Sequence, residues 1–168
     1  MRWLISGIDF LLKAGAAIGC IILVAMTLLV TLEVVLRNFF QTTMYFTDEF
    51  SGYLVVAVLA LGAGYAYRHD AMLRVDLIYD RLPQQMHQHF GVVFGLISLL
   101  FCALLDWQIL RLWLRTLDNG THANTVTATP LWLPQGLLLL GLILLTLAVL
   151  RRLLAPVEPQ TPAVGTQA

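Results

Sequence analysis

Charge is scarce in this sequence: Asp, Glu, Lys and Arg together supply only 12% of it, about half the usage of soluble domains. That shortage excludes an ordinary solvated domain, while 59% apolar content and a mean hydropathy of +0.80 point to lipid as the solvent. Charge of one sign is missing as well. Ten basic residues balance ten acidic ones, so nothing draws nucleic acid or a strongly acidic partner over a distance. Cysteine is nearly absent: Cys20 and Cys102 each sit in an apolar run with no second thiol nearby, which excludes a CxxC redox pair and a thiolate zinc site. No nucleophile paired with a base, no HExxH and no Walker loop occurs, so catalytic, cofactor-binding and metal-ligating residues are all expected to be none. The stretch Ala16–Cys20 has the look of a lipoprotein cleavage box. The apolar run continues through Ile21–Val30, which argues against both a lipid anchor and a cleaved signal peptide.

What is present is long apolar runs. There are four, about 14–36, 50–67, 90–110 and 131–150, the third and fourth set off by polar stretches containing Pro83 and Pro130. At 1.5 Å per residue each is about 27–34 Å long, enough to cross a hydrocarbon core of ~30 Å. The expected fold is an all-α integral membrane protein with four transmembrane helices, a single domain over 1–154. An amphipathic start, Arg2 to Lys13, precedes the first span. The segment 155–168, with three prolines and no apolar periodicity, is expected to be a disordered cytoplasmic tail. Between the second and third spans, Leu73, Leu77, Ile78 and Leu82 fall near one helical face and Arg74, Asp76, Asp80 and Arg81 on others. This predicts an amphipathic segment on the cytoplasmic membrane surface.

Orientation follows from Lys and Arg. Arg2, Lys13, Arg68, Arg74, Arg81, Arg151 and Arg152 would share one side, against Arg37, Arg111 and Arg115 on the other, which places both termini in the cytoplasm. Trp3, Trp107, Trp113 and Trp132 fall near span ends, as interfacial tryptophans do. Small residues at four-residue spacing (Gly15/Gly19, Ala60/Gly64, Gly91/Gly95) suit close helix packing. Glu33 and Arg37 are one turn apart, in the favourable order for an ion pair near the outer interface. Thr47 is placed to cap the second span, and Asp48 and Glu49 to meet its positive end or to pair across the hairpin with Arg37. Asp106, followed by Arg111 and Arg115, is expected in interfacial pairing. His87 and His89 point to different helix faces, against a shared metal, and Asn119–Thr121 reads as a turn. The central segments of the spans are almost wholly apolar, unlike those of a complete carrier of charged solutes.

In this order the segments EVVLRNFF (Glu33–Phe40), TDEFSGYL (Thr47–Leu54), ALGAGYAYR (Ala60–Arg68), LRVDLIYDRLP (Leu73–Pro83) and TPLWLP (Thr129–Pro134) become recognisable. Over about residues 10–155 the chain resembles the small, DctQ-type membrane subunit of tripartite ATP-independent periplasmic (TRAP) transporters. The resemblance implies that Arg37 and Glu49 match the family's outer arginine and acidic pair, Gly62 its second-span glycine, and Arg74, Val75 and Asp76 its cytoplasmic motif. One departure is visible: Met72 stands where the family often has a histidine, and His69 is displaced upstream. The resemblance further implies a bacterial inner-membrane complex with a large membrane subunit that carries the substrate and sodium sites. A periplasmic binding protein would deliver an organic acid, and this chain would brace the large subunit among the membrane lipids. The alternative is a self-sufficient small transporter or channel, oligomeric through its glycine faces; the missing thiols argue against a quinone-linked redox enzyme.

Overall fold

The computed structural model describes residues 2–41, 46–69, 84–125 and 128–154. These form four helices: α1 (Arg2–Phe40), α2 (Thr47–Arg68), α3 (Gln84–Asn119) and α4 (Trp132–Leu154). Each is long and apolar enough to cross a membrane, and each satisfies its backbone internally, as a lipid-facing segment must. The chain is an all-α, multi-pass membrane protein.

Two helices outrun the apolar runs that predict them. α1 absorbs the whole amphipathic start, because no proline separates it from the span and hydrogen bonding continues where hydropathy falls. Its 39 residues measure about 58 Å, nearly twice the hydrocarbon thickness. α3 likewise starts at Gln84, directly after Pro83, and runs on past Leu110 to Asn119. The predicted amphipathic segment falls on residues 70–83, outside the described residues, while its continuation Gln84–His89 opens α3. The tail 155–168 also lies outside them.

α3 stops for a local reason. Gly120 takes a left-handed φ of 57°, and its N–H bonds Leu117 O at 3.3 Å while the Thr121 N–H bonds Thr116 O at 3.2 Å. This pair of bonds is a Schellman closure, for which glycine is the natural residue. The turn expected at Asn119–Thr121 is therefore a helix end. A short antiparallel bridge between His122 and Pro130 then leads into α4, whose Pro134 sits in the first turn, where no intrahelical N–H bond is lost.

The helices lie in a row, α1–α2–α4–α3, with α1 also touching α4. The α2–α4 contact is the most extensive, and among the described residues α3 packs on α4 with no comparable contact to α1 or α2. Leu12, Leu61, Leu144 and Ala148 form the buried core where α1, α2 and α4 meet, with Ile8, Ile22 and Tyr67 against it. Close approach depends on missing side chains. A Cβ on Gly141 would stand 2.5 Å from the carbonyl carbon of Ala60, and one on Gly64 would stand 2.9 Å from Leu144 O. Outside this core the apolar side chains point away from the chain: Ile21 is 69% exposed, Leu59 67% and Leu100 64%. A row of helices has two broad faces to cover, and lipid or another apolar protein surface is what covers them.

Candidate functional site

At the end of the bundle where α1 finishes, α2 begins one residue earlier than a Thr47 cap would require. Phe46 holds the N-cap position without a side-chain bond, and Thr47 is the first helical residue, buried, with no partner for Oγ1 among the described residues. Asp48 and Glu49 do fall in the first turn, where carboxylates meet the positive end of the helix. Glu49 Oε1 accepts the Tyr53 hydroxyl at 2.8 Å, and Ser51 Oγ donates to the Asp48 backbone carbonyl at 3.0 Å. Phe46, Phe50 and Tyr53 stack edge to face, with centroids 6.0 and 6.4 Å apart. Glu33 is half-buried and Arg37 exposed, and no salt bridge joins them. Arg37 instead lies in the last turn of α1, where a cation meets the negative end of the helix dipole.

The small residues divide into two groups. Gly15 lies under Leu144 and Gly64 under Leu12, so the predicted stripes of α1 and α2 are seams between helices of this chain. Gly95 packs under Leu153, joining α3 to α4. Gly62 is different. Nothing lies within 4 Å of where its Cβ would be, so this glycine leaves an open notch on α2. Arg74 and Asp76 fall outside the described residues.

Asp106 corrects the sequence reading. Its place near the end of the third apolar run predicts interfacial pairing, yet α3 continues to Asn119, and its Trp113 Nε1 bonds Trp132 O at 3.0 Å at the start of α4. Asp106 is thereby drawn inside the span. It accepts a 2.6 Å hydrogen bond from Thr146 Oγ1 of α4, while Arg111 stacks over Trp107 at 5.0 Å. The expected arginine pairing is replaced by an intramembrane tie between neighbouring helices, and Asp106 Oδ1 is enclosed without a donor among the described residues.

At the end of the bundle where α1 starts and α2 and α4 finish, three helices meet on one carboxylate. Asp9 of α1 accepts Arg68 Nη2 of α2 at 3.0 Å and Arg151 Nη2 of α4 at 3.0 Å, and its Oδ1 contacts Arg151 Nε. Arg152 lies 5.4 Å from the centroid of the Tyr67 ring, adding a cation–π contact between α4 and α2. Sequence reasoning passed over Asp9, although a signal existed: a lone acid at the start of α1 shares a membrane side with arginines ending α2 and α4. Among the described residues, no three His, Cys, Asp or Glu side chains gather as a metal site would require.

These contacts join helices to one another. Residues 26–158 match the family described as tripartite ATP-independent periplasmic transporters, DctQ component. The chain is 27% identical over 104 residues to the ectoine TRAP transporter small permease protein TeaB of Halomonas elongata, covering 60% of this chain and 54% of that protein. It is 28% identical over 124 residues to a putative TRAP transporter small permease protein of Haemophilus influenzae, covering 74% and 75%. A second such Haemophilus influenzae protein is 29% identical over 128 residues, covering 76% and 75%. The chain thus spans about half the length of the Halomonas relative and three quarters of the other two. No solved structure matches it significantly.

Proposed function

The chain belongs to the DctQ component family of tripartite ATP-independent periplasmic transporters, and from that premise we propose that it is a non-catalytic small subunit that braces a large membrane subunit. The large subunit carries the substrate and the driving sodium ions, and a periplasmic binding protein delivers an organic acid to the pair. Both termini face the cytoplasm of a bacterial inner membrane, in keeping with the Lys and Arg distribution.

One observation carries this reading. The polar side chains inside the helix row bind one another (Asp106 to Thr146, Asp9 to Arg68 and Arg151), which fixes the helices and leaves broad apolar faces outward. Such an object suits a brace that stays still while another subunit moves. Arg37, Glu49 and Gly62 are the residues assigned to its contact with the large subunit. Gly62 supports this, since its open notch on α2 admits a neighbouring helix closely.

Co-expression with the large TRAP subunit tests the assignment. The two are expected to copurify through a tag on either one, and Gly62→Leu is expected to reduce recovery of the pair while this chain alone keeps its thermal stability. Separate elution of the wild-type proteins would contradict it.

A further inference from the structure

We propose that the inner ends of α1, α2 and α4 form a headgroup site for an anionic phospholipid, with Arg68 and Arg151 as the pair that receives its phosphate. One carboxylate serves two guanidinium groups there. Arg68 Nη2 and Arg151 Nη2 each lie 3.0 Å from the same oxygen, Asp9 Oδ2, so two cations stand side by side with a single negative charge between them. Lys13, one turn beyond Asp9 on α1, is exposed and adds a third cation near the pair among the described residues. Arg68 Nη1 is enclosed and has no acceptor among the described residues, leaving a donor of the pair unmet.

The position selects the ligand. The Arg68 and Arg151 side chains keep 18% and 15% of their area exposed, so an oxygen approaching from the membrane surface can reach the pair. Phe10, next to Asp9 in α1, is 72% exposed and offers apolar surface to an acyl chain. Guanidinium forks match phosphate oxygens in geometry and strengthen the bond by charge. Basic pockets between membrane helices at the cytoplasmic face are suited to anionic headgroups. A zwitterionic lipid brings its own cation to a place where two guanidinium groups already share one carboxylate, so phosphatidylglycerol is favoured over phosphatidylcholine. The site does not depend on the transporter assignment.

Thermal unfolding of the full chain, delipidated in detergent and titrated with phosphatidylglycerol, phosphatidylcholine or inorganic phosphate, tests the proposal. Phosphatidylglycerol alone is expected to raise the midpoint. Arg68→Gln and Arg151→Gln should each weaken its apparent affinity about fivefold, the effect of roughly one basic contact at a membrane surface. Because those variants also lose a tie to Asp9, Asp9→Asn supplies the independent arm: it keeps both arginines, removes their competing carboxylate and should bind phosphatidylglycerol at least as tightly as wild type. An equal response to phosphatidylcholine would overturn the anionic selectivity, and an equal response to inorganic phosphate would make this a free-anion site. Absence of any response in both wild type and Asp9→Asn would reduce the cluster to a structural clamp.

Discussion

Asp9 does more for this molecule than any residue singled out by its sequence context. It is half-buried and holds two arginines from two other helices, so Asp9→Asn leaves both cations without their counter-charge. In lipid-free detergent this substitution should cost about 1–3 kcal/mol of stability, read by thermal or denaturant unfolding, whereas Lys13→Gln on the exposed side of the same turn should change little. Thr146→Val tests the second polar tie, because it preserves shape and removes only the hydroxyl that donates to Asp106. A loss of about 0.5–2 kcal/mol is expected. Thr27→Val makes the control, since Thr27 bonds the Leu23 carbonyl of its own helix and is exposed. Neither tie was legible in the sequence. An apolar run reports where lipid lies; it does not report which helix ends meet, and Asp9 gains its meaning only when α2 and α4 finish beside it. Asp106 follows a related rule: the end of an apolar run is not the end of its helix, and α3 carries on to Asn119.

Among the helices, the sequence was far more informative about number than about length or contact. Four apolar runs predict four helices because each must close its own backbone hydrogen bonds in lipid. That rule does not stop a helix at the hydrocarbon boundary, which is why α1 reaches back to Arg2 and α3 extends to Asn119. The stop of α3 rests on Gly120, and Gly120→Ala should cost about 1 kcal/mol through its left-handed backbone alone, since nothing lies near the added methyl. Glycines at helix seams should behave oppositely to those facing outward. Gly64→Ala and Gly141→Ala place a methyl against the backbone of α4 and α2 respectively, and a loss of about 1–3 kcal/mol is expected from each. Gly52→Ala and Gly62→Ala meet nothing among the described residues and should raise stability by about 0.5–1 kcal/mol through helix propensity. The four-residue spacing found the seam at Gly15, Gly19, Ala60 and Gly64, but spacing alone could not tell Gly64 from Gly62, which lies two residues earlier and opens outward.

As a whole molecule, the protein is a row of helices held together at the start of α1 by Asp9, within the spans by Asp106 and Thr146, and near the start of α4 by Trp113 and Trp132. A core of a few residues and two outward apolar faces make it dependent on what surrounds it. The central claim is that it supports transport without performing it. The most direct measurement is solute uptake into liposomes containing this chain alone, its large subunit alone or both, with the matching binding protein and an inward sodium gradient. Uptake only when both membrane subunits are present is the predicted result. Uptake by this chain alone would contradict the account and place the transport path among its own four helices.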